Sequence, residues 1–175
     1  VYRHRTGTTS RSLWKPFVRP ERRLFTLLVI MTLDAVAWRI SFPFWTVYIF
    51  KEMNATQEQL GVALAISAGV PALTGLTLGS RLDRVGVKPF LAASEWCALG
   101  AFLPLLIASR PEFAYISAVF WGLVYSLWMP ALNAYITDHF GSERFGETLG
   151  TISVVSGVAS VASPALGGWM WDNIS

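Results

Sequence analysis

Charge along this chain is confined to short intervals. Residues 60–78, 113–136 and 149–171 contain no Asp, Glu, Lys or Arg, residues 90–109 hold only Glu95, and residues 24–50 hold only Asp34 and Arg39. At about 1.5 Å of rise per residue, runs of this length cover the roughly 30 Å of a bilayer's hydrocarbon core. Amides in lipid must be satisfied within their own segment, so the runs are predicted as helices. The chain is thus expected to be an all-α membrane protein with spans at 24–50, 60–79, 90–109, 113–136 and 149–171. A basic leader at 1–23 precedes them and an outer tail at 172–175 follows.

Composition agrees. Hydrophobic residues make up 53% of the 175 positions and charged residues 14%, against about 25% charged in ordinary soluble domains; the mean hydropathy is +0.46. The distribution of charge sets an orientation. The leader and the links between spans two and three and between spans four and five carry eleven Lys and Arg, whereas the opposite side has only Lys51 and Arg110. A positive-inside bias of this size places the N-terminus in the cytoplasm. Trp45, Tyr48, Trp169 and Trp171 then fall where an outer aromatic belt would lie. The expected location is an integral protein of the cell membrane, with lipid as its first partner. Attraction to anionic lipid explains the basic leader, so no nucleic-acid partner is called for. The leader lacks the apolar centre of a secretory signal, and without an initiator Met the sequence reads as part of something longer.

Little else suggests covalent chemistry. Cys97 is the single cysteine, so no disulfide framework exists. No phosphate-binding loop, paired-cysteine metal site or nucleophile motif is found. An enzyme is therefore not expected, and neither a metal nor another cofactor is expected. The Asn54-Ala55-Thr56 triplet lies too near two helix ends to be read as a glycosylation acceptor.

Between spans two and three stands GSRLDRVGVKP, residues 79–89. It reads as a tight inner connection. Gly79 and Gly86 allow close approach or positive φ, Arg81, Arg84 and Lys88 hold it on the cytoplasmic side, and Asp83 is an acid suited to a helix N-terminus. The pattern Gly79-x-x-x-Asp83-Arg84-x-Gly86-x-Lys88-x-x-Leu91 resembles the loop signature of the major facilitator superfamily, G-x-L-A-D-R-x-G-R-K-x-x-L, departing from it at Arg81 and Val87. Gly122 followed by MPALNAYITD, SERFGETLG at 142–150, and SPALGG at 163–168 are similar to later parts of the same fold, so the resemblance covers about residues 21–171.

The resemblance implies a bundle of about five helices belonging to one six-helix half, with the other half as a partner outside the sequence. Span four lacks the arginine that the family's N-terminal half often carries before its glycine. Residues 1–23 also suit the cytoplasmic loop that joins the two halves, so the C-terminal half, helices seven to eleven, is expected. Against this, Gly150, Ala159, Ser163, Pro164, Gly167 and Gly168 approximate the antiporter signature of the fifth helix. Ala159, Ser163 and Gly167 form a small-residue row that admits another helix, either within the bundle or at the contact between halves. The resemblance implies that Asp83 holds an inner gate shut.

Ionisable residues inside a membrane are expensive and usually functional or paired. Asp34 lies near mid-bilayer in span one and aligns at helical spacing with Trp38, Ser41, Trp45 and Tyr48, a stripe suited to a wet cavity wall. Asp34 is expected as a proton or cation site and Arg39 as a substrate or ion-pair partner. Glu95 is expected to snorkel or to pair with Arg84 or Lys88. The alternative for each charge is a fixed structural pairing. The function these features imply is secondary active transport of a small solute by alternating access, with proton-coupled efflux as one form of it. The alternative is a scaffold or receptor that keeps the fold without moving a solute.

Overall fold

The computed structural model of this chain describes residues 22–107 and 110–174. The leader up to residue 21, the last two positions of the third expected span and Ser175 lie outside the described residues. The helices in order are α1 (Arg22–Lys51), α2 (Gln57–Val85), α3 (Val87–Ile107), α4 (Phe113–Phe140), α5 (Phe145–Ala159) and α6 (Ser163–Ile174). A 3-10 turn at Ser142–Arg144 leads into α5, and no strand occurs among the described residues. Five segments are long and apolar enough to cross a membrane, α5 and α6 together forming the fifth.

The link read from the sequence as a loop is nearly all helix. Gly79 to Val85 form the last turns of α2. Leu82 supplies the reason, because in a helix it is buried with Phe90, Leu127 and Ala131, whereas an open loop would leave it in water or among headgroups. The connection to α3 is Gly86 alone, at φ +88°, with its amide donating to the Leu82 carbonyl. With ψ at 171°, a side chain there would crowd the carbonyl before it, in a region almost confined to glycine, at a cost of about 1–3 kcal/mol. Asp83 consequently sits exposed in the last turn of α2 and caps no helix N-terminus among the described residues. At the other end of α2, Thr56 and Gln59 form a reciprocal capping box: each backbone amide donates to the other's side-chain oxygen, at 2.9 and 3.2 Å. This fixes where the helix starts.

The fifth span is not one rod. Residues 160–162 leave the helix between α5 and α6. Pro164 lacks an amide, and in a continuous helix its ring would press on the Ser160 carbonyl. Pro43, Pro71, Pro104 and Pro130 stay inside their helices.

Helix α4 packs against both α2 and α3, while α1 packs against α5 and α6. Gly122 lets α2 lie close on α4, since a Cβ there would stand 2.5 Å from Val70 Cβ. Leu27 and Met31 of α1 join Leu132, Ile136 and Phe140 of α4 and Ile152 of α5 in one core. A second core, toward the Asn54 end, gathers Trp45, Ile49, Ala63, Ala101, Ala118 and Trp121. Much of the outer surface is apolar: Leu73 and Leu76 of α2 are 82% and 90% exposed. A face of this kind suits lipid or further helices and would be a liability in water.

Candidate functional site

The centre of the bundle is organised by Trp38, Trp45 and Trp121. Trp45 is 2% exposed, and its Nε1 donates to Ser117 Oγ at 2.7 Å. Ser117 Oγ in turn donates to the Ala101 carbonyl at 2.6 Å, so one hydroxyl ties α1 through α4 to α3. Tyr48 makes a parallel link, its hydroxyl donating to the Leu105 carbonyl at 3.1 Å while its ring meets Trp171 edge-on. Ser41 returns its hydroxyl to the Ala37 carbonyl of its own helix. Trp45 is therefore buried between helices and does not stand in an outer belt, whereas Trp169 is exposed.

The polar stripe of α1 thus divides. Trp45 and Tyr48 fasten helices. Trp38 is half-buried and stacks on Phe42 while meeting Trp121 and Tyr125 edge-on. Asp34 is half-buried, and its carboxylate lies within electrostatic range of Glu95 on α3. Phe102, two turns beyond Glu95 on α3, meets Trp121 of α4 at 5.4 Å. No ion pair joins Glu95 to Arg84 or Lys88 among the described residues. Lys88 precedes Glu95 by about two helix turns, and Glu95 is exposed. Asp34 and Arg39, five positions apart, are about 140° apart around α1 at 3.6 residues per turn. Arg39 is exposed.

A cavity of about 520 Å³ opens between α1, α2 and α4. Phe42 and Trp45 line it from α1, Ser67, Pro71 and Gly75 from α2, and Trp121, Tyr125 and Met129 from α4. Small-molecule sites commonly measure about 300–1,000 Å³ and are largely apolar with a few polar groups. The two hydroxyls of Thr74 and Ser126 meet at 2.8 Å behind its wall and bind α2 to α4. Trp121 is 3% exposed, and its Nε1 has no hydrogen-bond partner among the described residues. Sequence reasoning found the α1 contribution and missed the α2 and α4 walls. These are apolar or aromatic residues inside apolar runs, and only the close approach at Gly122 could have pointed to them.

The small-residue row also separates. The break at 160–162 takes Ala159 out of line with Ser163 and Gly167, and Ala159 is exposed. Gly167 lies against α1, where a Cβ would stand 2.6 Å from the Ile40 carbonyl oxygen. Ser163 is buried, Pro164 is exposed, and Gly168 has only Phe44 nearby, 3.8 Å from where its Cβ would be. Gly79 is half-buried, and Arg84, Gly86 and Lys88 are exposed at the same end of the bundle. No group of three or more His, Cys, Asp or Glu that could hold a metal occurs among the described residues.

The model of the Major Facilitator Superfamily matches residues 27–175. The multidrug resistance protein MdtH of Klebsiella pneumoniae (strain 342) is 23% identical over 146 residues, covering 83% of this chain and 36% of that protein. The voltage-gated purine nucleotide uniporter SLC17A9 of Rattus norvegicus is 24% identical over 164 residues, 90% of this chain and 37% of that protein. The chain therefore spans little more than a third of the length of these relatives. No solved structure matches it significantly.

Proposed function

The chain belongs to the Major Facilitator Superfamily, and from that premise we propose that it forms most of one half of a secondary transporter moving a small solute by alternating access. The observation that carries the reading is the cavity of about 520 Å³ at mid-depth, open on the face of α1, α2 and α4. A packed bundle with no solute to accommodate gains nothing from such an opening, because a void forfeits contact with the atoms around it. The partner half closes the cavity from the other side, and the solute sits between the two bundles as they rock. The Gly86 end faces the cytoplasm, since Arg81, Arg84, Lys88 and Arg144 collect there.

Proton coupling belongs to Asp34. It is half-buried in the middle of a long apolar helix, where an ionised carboxylate costs about 2.5–3.5 kcal/mol on insertion scales, and no cation pairs with it among the described residues. Taking up a proton relieves both burdens. The names of the relatives, one a multidrug protein and one a nucleotide uniporter, frame the first assays. Full-length protein in liposomes is tested for uptake of ethidium and of ATP, with and without a pH gradient. Gradient-driven accumulation of either supports transport, and Asp34→Asn abolishes it without loss of protein. Uptake of neither above that of empty liposomes would favour the scaffold or receptor reading.

A further inference from the structure

We propose that Trp121 is the hydrogen-bond donor of the cavity, and that the solute it serves is a flat, apolar body with a carbonyl or ring-nitrogen acceptor on its edge. This deepens the transport reading and rests on it for biological meaning, while the binding it claims is measured separately.

The polar groups of the cavity divide into those already spent and those left over. Ser67 donates its hydroxyl to the Leu64 carbonyl at 2.8 Å. Ser126 donates to the Gly122 carbonyl at 2.8 Å and accepts from Thr74. Trp45 gives its N–H to Ser117. Two side-chain donors remain among the lining residues. Trp121 Nε1–H has no partner, and the Tyr125 hydroxyl has none among the described residues. They stand four positions apart on α4, neighbours on one face of the helix.

The two differ in how they are served without a solute. Tyr125 is 42% exposed, so water entering the cavity reaches it. Trp121 is 3% exposed, and an indole N–H can only donate. A buried donor left without an acceptor is costly and calls for an explanation. Trp45, buried to the same degree, has its acceptor 2.7 Å away. The fold thus meets this need on α1 and leaves it unmet on α4.

Rings surround the Trp121 indole edge-on: Trp38 at 4.7 Å, Phe42 at 5.9 Å and Phe102 at 5.4 Å. Of these three only Phe42 lines the cavity. A flat solute that turns this one side chain aside meets the indole and brings it an acceptor. Aromatic walls hold such a body in offset or edge-on contact. No Asp, Glu, Lys or Arg lines the cavity, so the contrast drawn there is between the presence and the absence of an acceptor.

Calorimetric titration of the full-length protein in lipid nanodiscs tests this with 2-acetylnaphthalene and 2-isopropenylnaphthalene. The second has the same outline, with a methylene in place of the carbonyl oxygen. Comparing each probe between the unaltered protein and Trp121→Phe cancels its partition into lipid. Trp121→Phe is expected to weaken the ketone at least ~5-fold and the alkene less than about 2-fold, as the loss of one buried hydrogen bond requires. A loss for the alkene as large as that for the ketone would overturn the proposal, because the ring and not its N–H would then matter. So would no loss of either, or no saturable binding of the ketone to the unaltered protein. Should Trp121→Phe fail to fold, infrared difference spectra of the ketone bound to Tyr125→Phe decide. A carbonyl stretch lowered by hydrogen bonding supports Trp121 as the donor, and an unshifted one sinks it. Ketone selectivity without any solute uptake would remove the transport reading and leave the site. Uptake without selectivity would do the reverse.

Discussion

Two tryptophans of nearly equal burial differ in one hydrogen bond, and the difference is measurable. Trp45 donates to Ser117, whereas Trp121 Nε1 has no partner among the described residues. Replacing either by Phe keeps a ring and removes the N–H. Trp45→Phe also cuts the tie from α1 to α4, although Ser117 keeps its own bond to Ala101, so it should destabilise the full-length protein in detergent by about 1 kcal/mol more than Trp121→Phe does. Thermal unfolding of the two variants checks this, and an equal loss would mean that the Trp45 bond contributes nothing. The charges of α1 follow the same logic. Asp34 and Arg39 were legible in the sequence because ionisable groups stand out in an apolar run. Their directions followed from helical spacing, but the electrostatic reach of Glu95 to Asp34 did not, since Glu95 stands on another helix, α3. Trp45, read as cavity wall, lines the cavity and also ties α1 to α4, whereas Tyr48 spends its hydroxyl on α3; an aromatic residue at helical spacing looks alike whether it faces a solute or a partner helix.

At the scale of elements, the sequence revealed where apolar helices lie and hid how they end. Gly79 to Val85 looked like a loop because polar residues cluster there, yet Leu82 carries the helix on to Gly86. The fifth span looked like one rod because nothing charged interrupts it, yet Pro164 splits it at 160–162. The split decides what its small residues do. Gly167→Ala sets a methyl group 2.6 Å from a backbone oxygen of α1, which cannot move aside cheaply, whereas Gly168→Ala meets only Phe44 at 3.8 Å. Gly167→Ala is expected to cost about 1–3 kcal/mol as an overpacked contact, and Gly168→Ala less than about 0.5 kcal/mol. Melting curves of the two variants should differ by several degrees, and indistinguishable curves would show that α6 does not lie on α1 as described. Gly86→Ala belongs to the same set: its φ of +88° with ψ 171° predicts a loss of about 1–3 kcal/mol, with Gly61→Ala, in open space on α2, as the neutral control.

For the whole molecule, family membership and the five apolar segments fix a membrane bundle, and its sidedness decides whether the rest of the account stands. If α1 to α6 thread the bilayer in turn, Asn54 and Asp83 lie at opposite ends of α2, and the cation-rich end is cytoplasmic. The direct measurement is labelling of single cysteines in intact cells, in full-length protein with Cys97 replaced by Ser. A membrane-impermeant maleimide is expected to label Asn54→Cys in intact cells, and Asp83→Cys only after the membrane is opened. Labelling of position 83 from outside an unbroken cell, or of both positions alike, would contradict the orientation and the bundle built upon it.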